Sequence, residues 1–217
     1  MRARGESPRF VDGLRITDQA ALDAVVAVLA GRNNTALVAA IGAAGGRAVG
    51  LTGADCAIGL AEPTGRFTTA GGDKVDLGLV GRPVASDVSL LRDLLRLGYI
   101  PVVASIGVTR GGTVLNVNAD TLAGHLAAEL GAARLVVAGG TAGVLDASGT
   151  TIERLAREEI ARMTATGAAH SGMIAKLAAC ERALDGGVPV VAIVNGRGGG
   201  DYTIAPGTRI ESAACRA

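Results

Sequence analysis

Three observations predict an α/β fold, a three-layer αβα sandwich around a mainly parallel sheet. Between residues 90 and 194, short apolar runs of strand length alternate with helical periods, the pattern of βαβ units that place helices on both sheet faces. Glycines gather at the ends of those runs, where turns require them. Hydrophobic residues make up 49% of the 217 residues, enough for a sizeable core and too many for a disordered chain.

Thr17 and Asp18 are both good caps, and behind them Ala21, Leu22, Val25, Val26 and Leu29 share one face of a first helix. A second, short helix carries Leu37, Val38 and Ile41 and stops at Gly45-Gly46, before a buried strand at 48–51. From 57 to 79, scattered Gly and Pro among short apolar alternations predict an antiparallel hairpin excursion. Leu90, Leu91, Leu94, Leu95 and Leu97 mark a helix ended by Gly98, and 100–104 reads as a strand with Pro101 near its start, where a missing donor costs least. A Gly111-Gly112 turn leads to the polar run 116–120 and a helix through Leu122, Leu126 and Leu130. Residues 135–137 form a strand ending in a Gly139-Gly140 turn; helices near 151–165 and 173–184 precede a strand at 188–194.

Composition narrows the function. Lys+Arg at 21 against Asp+Glu at 20 gives a net charge of +1, so no global field draws the chain to nucleic acid, and aromatics at 2% leave no stacking platform for single strands. The 33 glycines follow no G-X-Y period, which excludes collagen. Three scattered cysteines argue against a disulfide framework and fit a reducing cytoplasm. No Cys/His pair has zinc spacing, residues 1–5 lack the apolar core of a signal peptide, and no apolar run reaches the ~18 residues of a membrane span. The expectation is a cytoplasmic protein without a protein-held metal, a membrane contact or a nucleic-acid partner.

Chemistry belongs at the carboxyl ends of the strands. Three segments qualify. In Asn116-Val117-Asn118-Ala119-Asp120, two amides and a carboxylate open a helix; they suit a small polar ligand, while Asn118 or Asp120 equally suits the role of helix cap. In Ala138-Gly139-Gly140-Thr141-Ala142-Gly143-Val144-Leu145-Asp146, glycines permit close approach of backbone N–H groups to a phosphate, or simply make a turn. In His170-Ser171-Gly172-Met173-Ile174-Ala175-Lys176, the lysine is the only one after Lys74 in an arginine-rich chain; it fits a compact charge on a phosphoryl group as well as an ordinary solvated charge. Arg15 is either a carboxylate clamp or a surface arginine near a helix start.

Taken in order, these segments resemble the acetylglutamate kinases of the amino acid kinase family. Gly13-Leu14-Arg15-Ile16-Thr17-Asp18 looks like that family's "GLRVTD", and Leu29-Ala30-Gly31-Arg32-Asn33-Asn34 like the start of its interface helix region. Tyr99-Ile100-Pro101-Val102-Val103 through Ile106-Gly107-Val108 looks like its "GYIPVVxxIGV", and Asn116-Val117-Asn118-Ala119-Asp120 like its "NVNAD". Gly143-Val144-Leu145-Asp146, Gly172-Met173-Ile174-Ala175-Lys176 and Gly207-Thr208-Arg209-Ile210 follow in the family's order.

The resemblance implies one amino acid kinase-like domain over 1–217 that transfers the γ-phosphoryl group of ATP, accompanied by Mg²⁺, to the side-chain carboxylate of N-acetyl-L-glutamate. It gives Arg15 and Asn116 to the acceptor, Lys176 to the transferring phosphoryl and Asp120 to orienting the cationic groups. By the same resemblance, Gly140, Thr141, Ala142, Gly143, Val144, Leu145, Ala168, Ala169 and His170 are expected to line the nucleotide site. It also implies a homodimer or higher homo-oligomer. Three departures stand out. The chain begins without the family's lysine and glycine-loop strands, Gly139-Gly140 stands where the family has Ser/Thr-Asp, and the run 196–201 replaces a longer helical stretch. The first departure implies a truncated form or a separate N-terminal piece. It also keeps open a non-catalytic remnant that binds acetylglutamate or a partner; a kinase for a related N-acyl amino acid is the other alternative.

Overall fold

Asp18 opens the first helix as its sequence predicts: its carboxylate accepts a hydrogen bond from the Ala21 N–H at 2.8 Å, and α1 (Gln19–Val26) follows. The computed structural model describes residues 10–11, 14–69, 72–165, 171–197, 200–202 and 205–211, in two compact units, Met1–Leu122 and Ala123–Ala217.

In the first unit, β1 (Phe10–Val11) and β2 (Leu14–Arg15) form a short antiparallel pair. Where two separate helices are expected, the helix instead runs on. A π-helical segment, Ala27–Asn33, joins α1 to α2 (Asn34–Ala43), and the Asn34 N–H reaches the Leu29 carbonyl five residues back. The wider turn absorbs the glycine and keeps the backbone donors satisfied. The result is a continuous helix, Gln19–Ala43, long and apolar enough by length and composition to cross a membrane, which corrects the expectation that no apolar run reaches that length. Within this chain only 6% of its most apolar stretch is buried. It ends at Gly45, whose φ of +85° lies in the left-handed region that glycine adopts freely.

Then come β3 (Ala48–Thr52), β4 (Leu60–Pro63), β5 (Arg66–Thr68), β6 (Lys74–Asp76) and β7 (Val80–Ala85). They are followed by α3 (Ser89–Arg96), β8 (Ile100–Ala104), β9 (Ile106–Val108) and β10 (Val114–Val117). β3 and β8 pair in parallel, while β4, β7, β10 and β9 close a small barrel. In the barrel, β7 and β10 are parallel, and β4–β7 and β9–β10 antiparallel. Ala61, Val80, Ile106, Leu115 and Val117 are buried, and a methyl at Gly81 would stand 2.9 Å from Leu115 Cβ, so the interior has room only for glycine there. The expected hairpin excursion is present as the antiparallel pair β5–β6.

The helix α4 (Ala119–Leu130) carries the chain into the second unit, which contains β11 (Leu135–Gly139), β12 (Arg154–Ala156), α5 (Arg157–Ala165), α6 (Ser171–Asp185), β13 (Val191–Asn195) and β14 (Gly207–Glu211). The sheet order is β11-β13-β14-β12, with β11–β13 and β12–β14 parallel. Leu135, Val137, Val191, Ile193, Leu155 and Ile210 pack with Ile160, Leu177, Cys180 and Ala183 in one core. Residues 154–156 are a strand rather than the start of a helix, because Leu155 pairs with Ile210 on β14 and turns into that core. On α4, a methyl at Gly124 would run into the Ala179 carbonyl of α6, and the fully buried His125 accepts at Nδ1 from Arg182 Nε at 3.1 Å. The fold is thus α/β, with parallel pairing in both units.

Candidate active site

In the first unit the backbone of Arg15 and the side chain of Asn116 meet at a residue that sequence reasoning treated only as a cap. Thr17 is fully buried; its hydroxyl donates to the Arg15 carbonyl at 2.9 Å and accepts from Asn116 Nδ2 at 3.0 Å. Its backbone is held on both sides, by Thr17 N–H to Leu77 O at 2.9 Å and Leu79 N–H to Thr17 O at 2.7 Å, while the Asn116 N–H donates to Leu79 O at 2.9 Å. The signal that could have found Thr17 is its position between an arginine and an aspartate that both have uses of their own. The Arg15 guanidinium carbon stands 4.7 Å from the centre of the Phe10 ring, a cation–π contact that orients the fork. Guanidinium and carboxamide are groups that recognise an amino acid's carboxylate and amide.

Of the two candidates for capping α4, Asn118 takes the role: its Oδ1 accepts from the Thr121 N–H at 3.0 Å and from the Thr121 hydroxyl at 3.2 Å. Asp120 lies in the first turn, where a carboxylate is favoured by the helix dipole.

In the second unit, the segment Gly140 to Leu145 leaves the carboxyl end of β11. Thr141 donates to the Gly143 carbonyl at 3.0 Å, and Gly143 takes a φ of +114°. A methyl on Gly143 would stand 2.6 Å from Thr208 Oγ1, so only glycine fits against β14. The buried Thr208 hydroxyl in turn accepts from the Val144 N–H at 2.8 Å. Val144 turns into the core and Leu145 bridges to Thr151, whereas Ala142 lines an open cleft of ≈ 530 Å³ with Thr150, Glu153, Pro206 and Arg209. Lys176 on α6 has its Cε 3.3 Å from where a Gly139 Cβ would be, and Arg197, just after β13, borders Gly140 in the same way. Ala168, Ala169 and His170 lie outside the described residues. Among the described residues no group of three or more His, Cys, Asp or Glu side chains is placed to hold a metal ion.

Beyond the loop, Asp146 ties a turn: its Oδ1 accepts from Ser148 Oγ at 2.6 Å, Ser148 N–H at 2.8 Å and Thr150 N–H at 2.9 Å. The Ser148 hydroxyl and then the Thr150 N–H hold this carboxyl below its ordinary value of 3.8. A lowered folded pKa means stability present above the unfolded value and lost as pH falls through the folded one. Wild type therefore melts above Asp146→Asn at neutral pH, and the gap closes as pH drops below 3.8, readable in paired thermal melts. A gap independent of pH would sink this account.

An α/β fold that sets a helix lysine beside a close-packed glycine loop at the carboxyl end of a strand is the architecture of an α/β small-molecule kinase, and its relatives give the class. The chain belongs to the amino acid kinase family, whose model matches residues 1–195. Its curated relatives include the acetylglutamate kinases of Zymomonas mobilis and Symbiobacterium thermophilum. The first is 42% identical over 91% of this chain and 67% of that protein, the second 41% identical over 90% and 68%. Among solved structures, N-acetylglutamate synthase from Neisseria gonorrhoeae complexed with coenzyme A and N-acetyl-glutamate superposes with a TM-score of 0.81 at 27% identity, over 97% of this chain and 48% of that one. The Streptococcus mutans protein smu.665 gives 0.84 at 24% identity over 97% and 80%, a likeness of fold.

Proposed function

We propose that this kinase transfers the γ-phosphoryl group of ATP to the side-chain carboxylate of N-acetyl-L-glutamate, giving N-acetylglutamyl 5-phosphate in arginine biosynthesis. The observation that carries the reading is the identity of about 40% to proteins named acetylglutamate kinase along nine-tenths of the chain. We read residues 1–217 as one kinase domain with divided labour: acceptor binding in the first unit, nucleotide binding in the second.

Arg15 binds an acceptor carboxylate and Asn116 holds the amino-acid end. A carboxylate is already a nucleophile at neutral pH, so the enzyme needs to position it and neutralise charge rather than move a proton. Lys176 stabilises the transferring phosphoryl, Asp120 orients the cationic groups, and the segment Gly140 to Leu145 receives the nucleotide with 168–170. Mg²⁺ enters with ATP, held by phosphate oxygens and water, the coordination it prefers. The reaction draws on cytoplasmic ATP, and we place the chain there. A homo-oligomer covers the bare apolar helix Gln19–Ala43, which exposes Val28 and Leu37, with a second copy of itself.

The acyl phosphate product reacts with hydroxylamine, so the test is hydroxamate formation from ATP and N-acetylglutamate. The expected result is a hydroxamate in step with ADP. Product only from a different N-acyl amino acid would move the acceptor. A ligand-dependent rise in melting temperature without turnover would replace the kinase by a binding module.

A further inference from the structure

Arg197 has no part in the reading above, yet its side chain borders the same dipeptide as Lys176. A Cβ at Gly140 would lie 3.3 Å from Arg197 Nη2, and a Cβ at Gly139 would lie 3.3 Å from Lys176 Cε. Arg197 sits two residues past the end of β13, where its N–H donates to Asn195 Oδ1 at 2.9 Å and fixes the chain's exit. The residue is exposed, and among the described residues no carboxylate pairs with it. Two neighbouring glycines thus carry one cation each and no side chain between them, at the carboxyl ends of β11 and its parallel neighbour β13.

We propose that Arg197 binds the β-phosphoryl group of the nucleotide and takes up the charge that collects on the departing diphosphate. The inference rests on the phosphoryl-transfer reading. In that step an acceptor carboxylate oxygen bonds to the γ-phosphorus, the bond from that phosphorus to the β–γ bridging oxygen breaks, and the electron pair stays on ADP. Lys176, a compact ammonium, meets the transferring group. The planar guanidinium fork matches two oxygens of the adjacent phosphoryl, which remains anionic throughout. With no side chain at 139 or 140, the two cations are the side-chain groups that border this dipeptide.

The test is titration calorimetry of the full chain with ADP, AMP and inorganic tripolyphosphate, alongside hydroxamate turnover. Arg197→Ala lowers ADP and tripolyphosphate affinity roughly 30-fold, the scale of a charge-assisted bidentate contact. It leaves AMP affinity and the KM for acetylglutamate unchanged, and Arg197→Lys recovers part of the loss. Unchanged ADP affinity in Arg197→Ala, or equal losses of ADP and AMP, would overturn the proposal. Wild type that binds tripolyphosphate through Arg197 but phosphorylates no acceptor would refute the kinase reading and keep the anion clamp. Full turnover in Arg197→Ala at unchanged ATP KM would do the reverse.

Discussion

Lys176→Ala is expected to lower kcat by about 10²–10³-fold while acetylglutamate KM stays near that of wild type. Removing one preorganised donor from a transition state costs about that much. Lys176 stands on α6 beside Gly139, at the carboxyl end of β11, and its neighbour Leu177 is fully buried in the core of the second unit. The helix that carries the lysine is thus anchored in that core next to it. The substitution shortens a side chain at a half-buried position, so folding survives and the loss falls on the chemical step. Steady-state kinetics with hydroxylamine trapping reads it, and a kcat within threefold of wild type would remove Lys176 from the reaction.

The second large effect is at the acceptor. Arg15→Ala raises acetylglutamate KM by roughly 30- to 1000-fold, since truncating one partner of a hydrogen-bonded charge pair costs about 2–4 kcal/mol and each 1.4 kcal/mol is tenfold. Saturating acetylglutamate restores much of kcat, and ATP KM does not move. Arg15→Lys recovers little, because a point charge cannot reproduce the fork that the Phe10 ring orients. Equal losses for both substrates would mean that the arginine supports β2 rather than the ligand.

Local signals carried much of the fold. Asp18 as a cap, Gly45 and Gly98 as helix stops, and strands at 48–52, 100–104 and 135–139 all stand where short-range preferences put them. The readings that differ depend on distant partners. The apolar faces at 21–29 and 37–41 look like two helices, yet a π segment, Ala27–Asn33, joins them. Leu155 looks helical until β14 pairs with it from 55 residues further on, Leu155 facing Ile210. At the candidate site, Arg15 and Asn116 could be named from their motifs, but the bond from Asn116 to the Thr17 hydroxyl could not, since hydrogen-bond partners 99 residues apart leave no local trace. Arg197 escaped for the same reason: a glycine-rich tail looks like a loop, and only the chain's return past Gly140 gives its arginine an address.

The long helix of the first unit has one more consequence. Under the proposal that a second copy covers Gln19–Ala43, assembly and folding become a single equilibrium, because the partner binds the native chain and not the unfolded one. A melting temperature for this protein is then a property of a solution at a stated concentration. Dilution alone lowers it, with no bond inside the monomer changed.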